Sequence, residues 1–195
     1  MAIIRANNNT LSSVTALPTA ITTGSLVKLY SSASSSSESQ LILDSTYINS
    51  TYDNYKIIMG YTVDTDGTRM DAQFYVGGTK NTSANYFWHR DRQHDAVDNY
   101  DTDAATSMQL AHSYGNATGE TCNLVLDLLN VNSTTVATTI CGFSLGGNTD
   151  THSYGFTVTA GQDNSGYSSA VNGIEFFPHQ GTAKFLHFTL YGYTK

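Results

Sequence analysis

Charged residues are scarce in this sequence, and so are the residues that usually cover surface helices. Asp, Glu, Lys and Arg make up 13% of the 195 residues, with only 3 Glu and 5 Lys among them, whereas a typical soluble domain has about 25% charged residues. Thr, Ser, Gly and Asn disfavour helix interiors, and they number 27, 21, 16 and 15. Thr, with the 13 Tyr and 8 Phe, suits strands. The composition therefore predicts an all-β protein.

Long apolar runs and basic clusters are also missing. The most apolar stretch, residues 124–129, contains Asp127 and is too short to span a membrane. The formal net charge is −7 and no basic cluster is longer than Arg90-Asp91-Arg92, which argues against binding to a phosphate backbone. The first residues contain no apolar segment typical of a secretory signal. We therefore expect no membrane span, no nucleic-acid partner and no export by the secretory route.

Only two cysteines occur, Cys122 and Cys141, and each lies in an apolar run that suits a buried free thiol. Whether they can pair depends on the register of the hairpin that joins them. A turn centred between Val131 and Asn132 would place the cysteines directly opposite each other, whereas a turn centred at Ser133 would place them on opposite faces of the sheet. The polar residues 132–135 favour the second register, in which no disulfide forms.

Residues 1–25 are predicted to form an extended arm that docks on a neighbouring subunit. Isolated aliphatic residues are spread among Asn, Ser and Thr, and Pro18 and Gly24 interrupt any regular element. Such a segment buries too little apolar surface alone to offset its ordering entropy, so the alternative is an unanchored tail. The residues expected to dock are Ile3, Ile4, Leu11, Val14, Leu17 and Ile21. The serine-rich segment 31–39 is predicted to be a flexible loop or linker.

After Gln40, strand and turn signals recur at short intervals. The predicted strands are 41–43, 55–63, 70–76, 86–89, 108–112, 122–131, 135–145, 154–158, 171–177 and 184–193. No segment has a convincing helical period, and no internal repeat is visible. Nine or ten short antiparallel strands predict a two-sheet β-sandwich over residues 26–195, for which a jelly roll is the preferred topology.

One short motif has the pattern of a hydrolase nucleophile. Gly142-Phe143-Ser144-Leu145-Gly146 matches G-x-S-x-G, and Asp150, His152, His179 and His187 follow it. That motif needs a strand–turn–helix context to hold its serine exposed, but the residues after Gly146 favour a turn with no helix. We therefore interpret the segment as a strand end that enters a hairpin, and we expect no catalytic residues and no enzymatic activity.

Candidate metal ligands are equally weak. His89, Asp91, His94 and Asp95 lie close in sequence. The two histidines are five residues apart, however, and this spacing does not place them on the same face of a helix or of a strand. The segment 95–103 is rich in Asp but lacks the glycine and the terminal Glu of a calcium loop, so a solvated acidic loop is expected and weak calcium binding stays open. No Gly-rich loop opens a helix. We expect no metal and no cofactor.

Aromatic residues offer candidate contact surfaces. Alternation along a strand places Phe87 on the face opposite Tyr86 and Trp88. One of these two faces is expected to pack against the core. Aromatic residues at loop tips are typical of carbohydrate or protein contacts. The candidates beside Asp, Asn and Ser are Tyr100, Tyr114 and Tyr167.

Several segments together resemble a group of small virion proteins encoded by bacteriophages, marine ones especially. They are the Asn-rich segment 7–18, the segment Ile48-Asn49-Ser50-Thr51-Tyr52-Asp53-Asn54-Tyr55-Lys56-Ile57, the hairpin 126–139, Val171-Asn172-Gly173-Ile174-Glu175-Phe176 and Leu190-Tyr191-Gly192. The resemblance covers most of the chain and implies a phage structural protein, of the tail-fibre or virion-component kind. It brings no catalytic motif. The last strand is unusually aromatic for this group, which predicts a subunit contact there.

We therefore expect a non-enzymatic, homo-oligomeric virion protein, a trimer, assembled in the host bacterial cytoplasm. It would be exposed on the particle as head decoration (cement) or as a short fibre, with other capsid or tail proteins as partners. One alternative is a tail-fibre receptor-binding module that contacts host surface glycans. The other is a virion-associated glycan depolymerase.

Overall fold

The computed structural model describes residues 25–94, 96–111, 115–148, 152–162 and 169–195, with the backbone alone at 92–94, 96–101, 148 and 152–158. Thirteen strands, and no helix, occur in these ranges. They are β1 (Leu26–Ser32), β2 (Leu41–Leu43), β3 (Tyr55–Val63), β4 (Met70–Val76), β5 (Thr79–Lys80), β6 (Tyr86–His94), β7 (Ala96–Ala105), β8 (Met108–Gln109), β9 (Cys122–Leu129), β10 (Thr139–Asn148), β11 (His152–Gln162), β12 (Val171–Pro178) and β13 (Ala183–Tyr193). The all-β prediction is confirmed.

The strands form two antiparallel sheets with the topology of a jelly roll. The larger sheet has the order β1-β13-β3-β9-β10-β11-β6-β7, and the smaller has the order β2-β12-β4-β5, with β8 also paired to β4. The chain passes between the sheets from β1 to β2, from β3 to β4 and from β12 to β13, so β13 lies between β1 and β3 while β12 lies between β2 and β4. Two four-stranded sheets, β1-β13-β3-β9 and β2-β12-β4-β5, thus make one rolled antiparallel ribbon.

Four strands extend the larger sheet beyond this jelly roll. Strands β10 and β11 continue from β9 as a meander, and the hairpin β6–β7 adds to β11. The insertion that carries β6 and β7 separates β5 from β8, and these two short strands pair with opposite ends of β4. The larger sheet therefore has eight strands against five in the smaller one, and the additional strands β10, β11, β6 and β7 lie at one end of its strand order.

The core lies between the sheets and follows from the alternation of side chains. In β9, Cys122, Leu124, Leu126 and Leu128 are buried while the residues between them are not, as expected for a strand with one covered face. From the smaller sheet, Phe176 packs against Phe188 of β13 with ring centroids 6.0 Å apart. Burial of each such side chain contributes about 1.5–3 kcal/mol.

Two buried tyrosines of the core, Tyr55 and Tyr86, connect loops to it through their hydroxyls. The hydroxyl of Tyr86 accepts a hydrogen bond from the Phe74 amide at 2.9 Å and donates to the Asn81 carbonyl at 3.0 Å. The hydroxyl of Tyr55 accepts from the Asn49 amide and donates to its carbonyl, both at 2.9 Å. These bonds tie loops to the core, since an unpaired buried hydroxyl would cost stability.

The strands with strong alternation were predicted most accurately. The predicted bounds of β2, β3 and β4 match the structure at both ends. Phe87 lies on the face opposite the buried Tyr86, as predicted, and Trp88 packs against the core.

The serine-rich segment 31–39 is a loop after Ser32, as predicted, and β13 anchors it. Strand β1 continues to Ser32, and Glu38 forms a bridge with Ala183 through two backbone hydrogen bonds of 2.8 and 2.9 Å. The Ser34 amide also donates to the Phe185 carbonyl at 2.8 Å. Pairing with the neighbouring β13 supplies hydrogen bonds that composition does not reveal.

The expected acidic loop at 95–103 is also corrected. Residues 96–103 belong to β7, which pairs with β6 in a register that places Asn99 opposite Asp91 and Asp98 opposite Arg92. Asp95 itself lies outside the described residues. The open edge of β6 offers a backbone ladder, and such context overrides the low strand propensity of Asp and Asn.

The cysteines lie on opposite faces of the larger sheet. The β9–β10 register pairs Cys122 with Gly146 and Cys141 with Asp127, so the hairpin is centred at Thr134, one residue beyond the predicted centre at Ser133. Cys122 is buried, Cys141 is half-buried, and both are free.

Two aromatic residues of the last strand belong to the core. Phe185 and Phe188 of β13 are buried between the sheets, because a β-bulge between Phe185 and His187 shifts the alternation and brings both side chains to the covered face. Leu186 is exposed on the same strand. Phe185 and Phe188 therefore offer no surface to a second subunit, and the expected subunit contact at this strand stays a prediction.

Candidate functional site

The G-x-S-x-G segment lies within β10 rather than at a strand end. Ser144 is 1% exposed and pairs in register with Leu124 and Phe156. A Cβ at Gly142 would collide with the carbonyl oxygen of Val125, so this glycine is required by close strand approach. The sharp turn into a helix that exposes a nucleophilic serine is not formed here.

The sequence-predicted contact residues fall largely outside the described residues. This holds for Ile3, Ile4, Leu11, Val14, Leu17 and Ile21 of the arm, and for Tyr114 and Tyr167. Tyr100 lies in β7, opposite Arg90 in the register. Where side chains are described, no three His, Cys, Asp or Glu residues come together as a metal site, and His89 contacts Asp91 with Nε2 and Oδ1 3.0 Å apart.

A candidate contact surface lies on the outer face of the larger sheet. Within strand β10, the segment 142–146 turns its two large apolar side chains outward: Phe143 is 54% exposed and Leu145 is 50% exposed. The inward positions of the strand hold the buried Ile140 and then Gly142, Ser144 and Gly146. Since a shift of one residue would exchange the two faces, the register decides that Phe143 and Leu145 lie outside.

Neighbouring strands extend this surface. The register places Phe143 beside Val125 of β9, and Val125 beside Ile58 of β3, and both neighbours are partly exposed. The outer apolar patch, as we call it, consists of Ile58, Val125, Phe143 and Leu145. Contiguous exposed apolar residues on a soluble protein usually mark a contact surface.

A polar row borders the outer apolar patch. Asp127 accepts hydrogen bonds from Lys56 Nζ at 3.1 Å and from the Tyr193 hydroxyl at 2.6 Å. The hydrogen bond to Asp127, with burial, raises the pKa of Tyr193. An apolar centre with a polar rim is typical of protein–protein interfaces.

A polar cavity lies at the seam between the smaller sheet and the extension of the larger one. Its volume is about 210 Å³, and its lining comes from the β3–β4 turn, β6, β8 and the end of β12: Gly67, Thr68, Arg69, Arg90, Gln109, His179 and Gln180. We call it the Arg69 cavity. All of its lining residues except Gly67 have polar side chains.

Asp71 organises one wall of the Arg69 cavity. This carboxylate is 1% exposed, accepts hydrogen bonds from Arg69 Nε at 2.9 Å and Nη2 at 3.4 Å, and accepts another from the Ser107 hydroxyl at 3.1 Å. His179 Nδ1 lies 3.3 Å from Asp71 Oδ2. A buried carboxylate with several donors holds the neighbouring side chains in fixed positions.

Sequence reasoning missed both surfaces, for different reasons. The alternation of Phe143 and Leu145 was visible, but the face that they occupy follows from the register of β10. The residues of the Arg69 cavity come from segments that extend over more than 100 positions of the chain, and they share no local motif.

Comparisons with known proteins add no relative. No family, curated protein or solved structure matches the chain. In the part of the chain that the structure describes, no helix is long and apolar enough to cross a membrane.

Proposed function

We propose that this chain is a non-enzymatic structural protein of a bacteriophage virion, homo-oligomeric and exposed on the particle as head decoration or a short fibre. The observation that carries the proposal is the pair of exposed apolar side chains on β10. Phe143 and Leu145 are directed away from the core, whereas Gly142, Ser144 and Gly146 beside them face it. Cover from another subunit would give this arrangement a stabilising role that an isolated chain lacks.

Two further features support a structural role. The jelly roll is a recurrent fold of capsid proteins, although a fold by itself does not define a function. The sequence resemblance to phage virion proteins points to the same class. In the proposed assembly, the outer apolar patch contacts a second copy and the segment before β1 contacts a neighbouring virion protein.

The proposal is tested by locating the protein on particles. Antibodies raised against the purified protein should label intact virions at regular head or tail positions, and protein mass spectrometry should find the chain in gradient-purified particles. Its presence only in lysates, with none in purified particles, would contradict the proposal. Labelling confined to the tail tip would favour the receptor-binding alternative over decoration.

A further inference from the structure

We propose that the Arg69 cavity binds a carboxylate-bearing sugar of the uronic-acid class. This inference is independent of where the protein sits on a particle. It rests on the shape of the cavity, on the donors that line it and on the charge of its walls.

Two arginines line this cavity in a chain whose formal net charge is −7. Arg69 and Arg90 both line it, and Asp71 is the carboxylate that holds Arg69. His179 adds ring nitrogens that take part in hydrogen bonds. An anion entering the cavity therefore meets the guanidinium of Arg69, and the buried Arg90 is also part of the wall.

The guanidinium groups are held in place before any ligand arrives. Arg69 uses Nε and Nη2 for Asp71, so the plane of its guanidinium is fixed while Nη1 is not used by this pair. Arg90 is 4% exposed, and its guanidinium carbon lies 5.4 Å from the centre of the Trp88 ring. Planar guanidinium groups match the two oxygens of a carboxylate.

The rest of the lining suits hydroxyl groups. Gln109 and Gln180 carry amides that both donate and accept, and the Thr68 hydroxyl does the same. The volume of about 210 Å³ is below the roughly 300–1,000 Å³ of pockets that enclose drug-sized ligands. One sugar ring with an acidic group fits this combination of size, charge and hydrogen-bonding groups better than a bare ion or a long chain.

Calorimetric titration with methyl β-D-glucuronide tests the assignment, with methyl β-D-glucoside as the uncharged counterpart. We expect saturable binding of the glucuronide, at least tenfold tighter than that of the glucoside, because the charge-assisted hydrogen bonds are lost with the carboxylate. Trp88 is the only Trp in the sequence. Its fluorescence should therefore change as the glucuronide is added, with the same midpoint concentration as the calorimetric signal. Equal binding of the two sugars, or no saturable heat with the glucuronide, would overturn the proposal.

Variants place the binding in the cavity. Arg69→Gln should weaken glucuronide binding about tenfold, and Lys28→Gln, which removes one charge from exposed β1, should leave it unchanged. If Arg69→Gln fails to fold, His179→Gln serves instead, because the exposed His179 ring can be replaced by an amide that still reaches Asp71. Wild-type affinity in a folded cavity variant would overturn the assignment. So would inorganic sulfate that competes as strongly as the glucuronide, since this would indicate a general anion site.

Discussion

The carboxylate of Glu175 lies in β12 with 2% exposure, and each of its oxygens has a donor. The Tyr75 hydroxyl donates at 2.8 Å to Oε2, and Lys80 Nζ donates at 3.0 Å to Oε1. A buried charge of this kind is tolerated because both partners are present. These two hydrogen bonds also link β12 to β4 and β5 in the smaller sheet.

Lys80→Met is expected to destabilise the fold by about 1–2 kcal/mol, because it leaves one oxygen of a buried carboxylate without its charged donor. The exposure of the Lys80 side chain keeps the effect below that of a fully buried pair. Urea unfolding followed by circular dichroism measures the change. Lys28→Met, on exposed β1, is the matched control, and an equal loss in both variants would contradict the account of Glu175.

Stability is also expected to depend on alkaline pH through tyrosines whose pKa is raised in the fold, most strongly Tyr75 and Tyr86. Burial and the hydrogen bond to Glu175 raise the pKa of Tyr75 to about 12, and burial raises the pKa of Tyr86 to about 12. In the unfolded chain tyrosine titrates near about 10, so the unfolded state releases these protons first. The free energy of unfolding should therefore be unaffected below about pH 10 and should fall between about 10 and 12.

Urea unfolding at a series of pH values measures this dependence. Tyr75→Phe removes one of the two groups, and it should make the fall shallower while lowering stability at neutral pH. A free energy of unfolding that stays constant throughout the alkaline range would contradict the assignment of these two phenols.

At the scale of elements, β10 departs most clearly from the simple rule of apolar residues inside. Its ladder with β9 and β11 fixes Phe143 and Leu145 on the outer face. Neither side chain contributes to the core, so their replacement tests contact without disturbing the fold.

The double variant Phe143→Ser/Leu145→Ser should reduce self-association while leaving thermal unfolding close to wild type. Removal of this apolar area from a contact costs about 1.5–3 kcal/mol per side chain. Sedimentation velocity at several concentrations measures the association. Val136→Ser is the control, because Val136 is 54% exposed but lies between β9 and β10, outside the outer apolar patch. Unchanged association of the double variant would show that the outer apolar patch is not the contact.

Strands with a clear apolar periodicity could be predicted from the sequence. Strands that are mostly polar, or whose bounds depend on the pairing register, could not. The run Tyr55–Val63 has an apolar residue at every second position and is followed by a strong turn signal, so β3 was predicted at its observed bounds. Strand β7 consists largely of Asp, Asn and Ala, and only its pairing with β6 makes it a strand. Strand β10 begins at Thr139 rather than at the predicted Thr135, because the connection from β9 is longer than expected and covers residues 130–138.

The candidate sites show the same division. Exposed Phe143 and Leu145 depend on a register that one residue would reverse. The Arg69 cavity depends on the jelly roll bringing the β3–β4 turn, β6 and the end of β12 together. Long-range pairing of this kind leaves no local signal, so neither site could be predicted from a motif.

At the scale of the whole molecule, the chain before Ser25 leads directly into β1, which ends the strand order of the larger sheet. An edge strand presents backbone groups to which a further chain can pair. The aliphatic residues of the predicted docking arm precede this edge in sequence. The arm and the outer apolar patch are therefore two separate candidates for contact with neighbours.

Deletion of residues 2–22 is expected to leave a folded jelly roll that no longer enters particles. Every described strand lies after the deletion, so thermal unfolding should change little. Fixing an arm of this length costs about 1–2 kcal/mol per residue, so it docks only where pockets or strand pairing await its aliphatic side chains. A truncated chain that fails to fold would show that the arm belongs to the sandwich, and full incorporation would show that it is not the anchor.

The central claim is that the outer face of β10 is the surface by which this protein is built into a virion. The most direct test counts copies of the chain on purified particles that carry the wild type, Val136→Ser or Phe143→Ser/Leu145→Ser. The account predicts equal, fixed stoichiometry for the first two and a reduction of about tenfold or more for the double variant. Absence of the wild-type chain from particles, or wild-type stoichiometry of the double variant, would contradict it.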